Sequence, residues 1–167
     1  MTKTNNVTRL LESKKIPYQA FDLPEEKLGA VETAAILNIP PEIVYKTIVI
    51  TREKPGKPLL VVIAGTCEVN LKKVASFLNE KKVHLPTQRE AEQLTHLQAG
   101  GISPLALINK GFTVLLDQSA KELELIHISG GQRGLNIQLP VKALVELTQA
   151  RFADLSSPSS LPMDQDG

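Results

Sequence analysis

Val44-Tyr45-Lys46-Thr47-Ile48-Val49-Ile50-Thr51, the turn Glu53-Lys54-Pro55-Gly56-Lys57 and Leu59-Leu60-Val61-Val62-Ile63-Ala64 together read as a β-hairpin. β-branched and apolar residues fill both arms, and the proline and glycine between them are turn residues. Lys46 stands alone as a cation in the first arm. A buried lone ammonium is costly, so this lysine either projects into a pocket that holds an anion or reaches solvent from a sheet edge.

Working outward, apolar residues at helical spacing (Val7, Leu10, Leu11) predict a helix over 4–15, ended by Pro17. A short strand follows over 18–23, then a short helix over 32–38 and a turn forced by Pro40-Pro41. Asn70 can cap a helix over 71–79, with Leu71, Val74, Ala75 and Leu78 on one face. Lys72, Lys73, Lys81 and Lys82 around it form either a solvated face or a loose guide for a phosphate backbone. Thr87 and Glu90 have capping-box spacing and open a further helix. Strands are expected over 113–116, 123–128 and 135–139, with a turn at 117–120, and Pro140 suits the start of a last helix. Hairpins with interspersed helices predict a mixed α/β fold, a mixed or barrel-like sheet covered by helices, rather than a doubly wound parallel sheet.

Two glycine-rich turns lie in the second half, Gly100-Gly101-Ile102-Ser103-Pro104 and Ser129-Gly130-Gly131-Gln132-Arg133-Gly134. Paired glycines between apolar runs imply unusual dihedrals or a close backbone approach. With Lys46 they suggest a concave site for an anionic or carbonyl-bearing ligand, in which backbone N–H groups of Gly100, Gly101, Gly130 or Gly131 could face an oxyanion. Neither turn has the spacing of a dinucleotide fingerprint or the lysine-serine or lysine-threonine ending of a P-loop. Ser103 and Ser129 either close their turns locally or contact the ligand, and neither has a base nearby in sequence to make it a nucleophile. His84, His96 and His127 are scattered singly, which fits surface or satisfied core histidines and predicts no metal site.

The composition narrows the class further. A chain of 167 residues is expected to form one domain, with a polar, proline-broken tail over 156–167 that should be disordered. Cys67 is the only cysteine, so no internal disulfide can form, and a small buried hydrophobe is its expected role. No apolar run is long enough to span a bilayer, and the first residues lack the apolar core of a secretory signal, so a cytoplasmic setting is expected. Lysine plus arginine number 19 against 18 acids, a net charge of +1. That balance argues against gripping long nucleic acid through many phosphates but allows a pocket for one end of it.

Val44-Tyr45-Lys46-Thr47, Gly100-Gly101-Ile102-Ser103-Pro104-Leu105 and Ser129-Gly130-Gly131-Gln132-Arg133-Gly134-Leu135, in this order, resemble the YbaK family. These proteins are free-standing relatives of the editing domain of bacterial prolyl-tRNA synthetases. Leu71-Lys72-Lys73-Val74-Ala75 and Phe152-Ala153-Asp154 also resemble family sequence, so the likeness runs from about Val7 to Asp154 and implies an editing domain over 1–155. It implies a barrel-like mixed sheet and trans-editing: removal of a wrong amino acid from tRNA, typically cysteine from the proline tRNA. In cysteine-specific members the substrate's own thiol is thought to attack the ester, leaving a thiolactone. The resemblance makes Lys46 the essential lysine, flanked by Tyr45 and Thr47, while Gly100, Gly101, Ile102, Ser103, Pro104, Ser129, Gly130 and Gly131 line the aminoacyl pocket. It implies the acceptor end of aminoacyl-tRNA as substrate, no cofactor and no membrane, with prolyl-tRNA synthetase as a transient partner. Asn136 stands where family members usually carry aspartate, Gly29 near an expected aromatic residue and Leu23 near an expected tyrosine. These departures bear on amino-acid selectivity. Two alternatives stay open: a deacylase for alanine or serine using activated water, and a non-catalytic module binding a nucleotide or anion.

Overall fold

Leu59–Ala64 is buried along its whole length, on both faces, and the rest of the fold is arranged around it. The computed structural model describes residues 3–159. In chain order, α1 (Asn6–Ser13) and β1 (Gln19–Asp22) precede α2 (Ala30–Leu37), then β2 (Tyr45–Arg52) and β3 (Leu59–Ala64). Next come β4 (Cys67–Val69), α3 (Leu71–Phe77), β5 (Val83–His84) and α4 (Gln88–Thr95). β6 (Thr113–Asp117), β7 (Leu125–Ser129), β8 (Leu135–Pro140), α5 (Val141–Thr148), β9 (Arg151–Ala153) and β10 (Ser156–Pro158) complete the order.

β2 and β3 form the expected hairpin, with Tyr45 opposite Ala64 and Ile50 opposite Leu59. β6 adds to β3 in parallel and β9 to β6 in parallel, giving a mixed sheet of order β5-β2-β3-β6-β9. A second sheet, β1-β8-β7, is antiparallel throughout. Val44 bridges His127, so the two sheets meet where β2 begins. The architecture is the mixed α/β fold that the hairpins and interspersed helices predict.

Side chains on a strand alternate between faces, and β3 uses both. Leu60, Val62 and Ala64 pack with Ile126, Ile128, Ile137 and Leu139 of the second sheet. Leu59, Val61 and Ile63 pack the other way, against Val74 and Ala75 of α3 and Leu155. The same alternation governs β2. Tyr45 and Val49 join the first core, while Ile48 and Ile50, which share a face with Lys46, join the second.

Polar side chains set the helix starts. Asn5 Oδ1 accepts from Thr8 N at 3.0 Å, and Asn70 Oδ1 from Lys73 N at 3.0 Å. Thr87 and Glu90 form the reciprocal capping box, at 3.0 and 3.2 Å. The helices expected over 4–15 and 71–79 are shorter at their ends, and the one expected from residue 32 begins at Ala30.

Two expectations need correcting. The strand expected over 123–128 starts at Leu125, because the chain makes a 3-10 turn over Gln118–Glu122 that Leu123 closes. The disorder expected from Ser156 does not hold over Ser156–Pro158, which pairs antiparallel with β4, Ser156 opposite Val69 and Pro158 opposite Cys67. Asn70 Nδ2 donates to Ser157 Oγ at 2.8 Å, and Lys73 Nζ to the Ser156 carbonyl at 2.8 Å and Asp154 Oδ1 at 3.0 Å. Lys73 therefore anchors a sheet edge, which the solvated-face and phosphate-guide readings both missed. The tail over 160–167 lies outside the described residues. Among those residues no helix is long and apolar enough to cross a membrane.

Candidate functional site

A cavity of about 310 Å³ opens beside the first half of β2. Lys46 lines it together with Gly100 of the first glycine turn and with Ser129 and Asn136, which face each other at the ends of β7 and β8. Three segments far apart in sequence thus meet at one hollow. Tyr45, Thr47 and Ile102 also line it.

The remaining expected residues do not. Ser103 is fully buried, and its Oγ accepts from Leu105 N at 3.2 Å to close the turn. Pro104 begins the 3-10 turn Pro104–Leu107, inside the protein. Gly130 sits beneath the Leu135 side chain, and Gly131 lies beside Val7 and Ala106. Gly101 presses on the Gln132–Arg133 backbone, where an added Cβ would fall 2.8 Å from Gln132 Cα. Its glycine identity serves contact between the two turns, and no ligand is needed to explain it.

The backbone donors follow the same division. Gly101 N donates to the Gln98 carbonyl at 2.8 Å and Gly130 N to the Leu135 carbonyl at 2.8 Å. Gly131 N donates to Ser129 Oγ at 3.2 Å. Three of the four amides expected to face an oxyanion are thereby spent inside the protein. Gly100, exposed and at φ +90, remains. The two turns are also clamped from the side, because Arg133 Nε donates to the Ala99 carbonyl at 2.6 Å.

Lys46 is half-buried, and its Nζ lies 3.5 Å from the Gly65 carbonyl. Gly65 N in turn donates to the Val44 carbonyl at 2.8 Å, which folds the chain after β3 back against β2. A Cβ on Gly65 would fall 2.1 Å from Ala30 Cβ, so α2 can rest here only on glycine. The start of α2, Gly29 and Ala30, forms another wall of the cavity, with the positive end of the helix dipole. Gly29 N is itself held by Glu32 Oε1 at 2.9 Å. Tyr45, although adjacent to Lys46, sends its ring into the core, where its hydroxyl bonds Ser119 Oγ at 2.7 Å. Burial raises the pKa of that phenol and keeps it neutral.

Behind Asn136 lies His127, 1 % exposed. Its Nδ1 is 2.8 Å from Asn136 Oδ1, its Nε2 is 3.2 Å from Gln138 Nε2, and the Phe21 ring lies 5.5 Å away. Burial lowers its pKa from 6.5, only partly opposed by the bond to Asn136, so the ring is neutral at physiological pH. Of the two expected roles, surface or satisfied core, it takes the second. His84 and His96 are exposed, and no group of metal-binding side chains occurs among the described residues. Cys67 is half-buried at a sheet edge rather than enclosed.

Sequence reasoning missed Gly65, Lys27 and Thr33, the last two of which line the cavity. The signal for that wall was the segment around Leu23 and Gly29, which departs from the family pattern and borders the cavity. Besides Tyr45, whose hydroxyl is turned to Ser119, three hydroxyl residues line the hollow, Thr33, Thr47 and Ser129. None bonds an imidazole or carboxylate among the described residues, so the cavity holds no activated protein nucleophile of that kind.

A family model for the aminoacyl-tRNA editing domain matches residues 25–147. An Enterococcus faecalis protein named as a candidate Cys-tRNA(Pro)/Cys-tRNA(Cys) deacylase, EbsC, is 33% identical over 91% of this chain and 93% of its own. A proline–tRNA ligase of Leuconostoc citreum is 27% identical over 83% of this chain, which spans 24% of that larger enzyme. A crystal structure described as a candidate trans-editing enzyme for prolyl-tRNA synthetase shares the fold, with a TM-score of 0.78 and 22% identity over 93% of this chain and 99% of the other. The chain therefore belongs to the aminoacyl-tRNA editing domain family, as the YbaK resemblance implied.

Proposed function

We propose that the protein is a trans-editing aminoacyl-tRNA deacylase acting on cysteine mischarged onto the proline tRNA. The observation that carries this reading is the meeting of Lys46, Gly100 and Asn136 at a cavity that offers cationic and N–H groups but, among the described residues, no hydroxyl paired with an imidazole or carboxylate. A cysteinyl ester carries its own nucleophile. Its sulfur attacks the ester carbonyl, the new C–S bond closes a thiolactone as the carbonyl–ribose oxygen bond breaks, and the thiol proton ends on the released ribose oxygen. Lys46 and the Gly100 N–H supply positive potential to the oxygen that becomes negative on the way. Catalysis is then positioning and electrostatics.

A net charge of +1 suits contact with the acceptor end rather than the tRNA body. Transient association with prolyl-tRNA synthetase in the cytoplasm would supply tRNA identity. A deacylation panel over tRNAs charged with cysteine, alanine, serine and proline tests the reading. Turnover of the cysteinyl ester with thiolactone as product supports it. Preferential release of alanine or serine points to activated water, and ligand binding without any turnover points to a non-catalytic module.

A further inference from the structure

His127 and Asn136 are buried polar neighbours on adjacent strands, and only Asn136 reaches the cavity. An amide oxygen can only accept and an amide nitrogen only donate. With Oδ1 of Asn136 at Nδ1 and Nε2 of Gln138 at Nε2, one neutral tautomer satisfies both contacts: the proton on Nδ1 and the lone pair on Nε2. The His127 ring is packed on Phe21 and held at both nitrogens, so it has no freedom to turn.

The Asn136 amide therefore has its oxygen committed inward. Its Nδ2 makes no hydrogen bond among the described residues, and no buried side-chain polar atom there lacks a partner, so Nδ2 is reached from solvent. Two N–H donors are left for a ligand in the hollow that Lys46 lines.

We propose that His127 is a positioning residue whose Nδ1–H fixes the Asn136 amide with its NH₂ toward the cavity, where it donates to the carbonyl oxygen of the bound aminoacyl ester. This inference rests on the deacylase reading above. Without the imidazole the amide can turn over, presenting its oxygen to the substrate carbonyl and repelling it. The side chain at 136 then acts as a polarising donor whose direction is set from behind.

The test compares cysteinyl-tRNA(Pro) deacylation by wild type, His127→Phe, His127→Gln, Asn136→Ala and the His127→Phe/Asn136→Ala double variant, each checked by thermal melting. His127→Phe keeps a ring against Phe21 and removes both hydrogen bonds, so kcat/KM should fall about tenfold, mostly in kcat. His127→Gln supplies an N–H donor and should recover part of the loss. The double variant should be no slower than Asn136→Ala alone, because His127 acts only through that amide. Wild-type turnover by His127→Phe, or losses that multiply in the double variant, would overturn the inference and leave the deacylase reading standing. A wild-type protein inert toward every charged tRNA overturns both. The ring tautomer, read from imidazole nitrogen NMR of the wild type, needs no variant: protonation at Nδ1 supports the inference and protonation at Nε2 overturns it.

Discussion

Arg133 donates its Nε–H to the Ala99 carbonyl across 2.6 Å, and this bond joins the two glycine turns. Gly101 lies under the same contact, so the first turn can approach the second only without a side chain there. The cavity edge formed by Gly100 therefore depends on Arg133 and Gly101, neither of which lines the cavity.

Replacing either contact glycine should cost stability as well as activity. At Gly101 an alanine Cβ falls 2.8 Å from backbone that cannot yield cheaply, and at Gly65 it falls 2.1 Å from Ala30 Cβ. Each substitution is expected to destabilise by about 1–3 kcal/mol, a fall in Tm of roughly 2–4 °C per kcal/mol. Gly29→Ala is the control. An added Cβ there meets only Glu32 Oε1, at 3.4 Å, and φ is −79, so its Tm should fall less than that of either contact variant, by no more than the small cost of alanine at a helix N-cap.

Thermal stability should fall in mild acid because of His127. Its pKa is lowered in the folded protein, chiefly by burial, so the unfolded chain binds the proton more readily. This contribution is intact above the ordinary value of 6.5 and is lost as pH drops from there through the lower folded value. Melting temperatures of the wild type should decline between neutral pH and about pH 5, and His127→Gln should decline less over the same window. Parallel curves for the two proteins would show that the ring takes up its proton equally readily folded and unfolded, against the lowered pKa.

Asn136→Asp should reverse the electrostatics around the same ring. A carboxylate at the 2.8 Å contact favours the imidazolium, so the His127 pKa should rise relative to the wild type. Histidine NMR titration reads the shift directly. The cavity then presents an acceptor in place of a donor, and the ranking of charged tRNAs in the deacylation panel should change with it.

The backbone frame was legible because its signals are local and strong. The hairpin of β2 and β3, the Asn70 cap and the Thr87–Glu90 box follow from turn chemistry, strand propensity and capping, all readable within a few residues. The short strands β4, β5, β9 and β10 were not, since segments of two or three residues owe their conformation to the strands they pair with. Within the site, Lys46 was legible as a lone cation in an apolar strand. The glycines were legible as a group but not in their roles, because glycine marks a close approach without saying whether a ligand or another loop approaches. Gly65 escaped notice for the same reason, since its partner Ala30 lies far away in sequence. His127 reads from the sequence as either a surface or a core residue and proves to be a core one, while its bond to Asn136 depends on strand register that only the folded protein shows.

The central claim, that this cavity cleaves an aminoacyl ester with Lys46 beside the reacting carbonyl, is tested most directly by single-turnover deacylation of cysteinyl-tRNA(Pro) with wild type and Lys46→Ala. The account predicts rapid release by the wild type and a loss on the order of 10²–10³-fold in the folded variant, the magnitude typical of removing one oxyanion-stabilising group. Equal rates for the two proteins would contradict it.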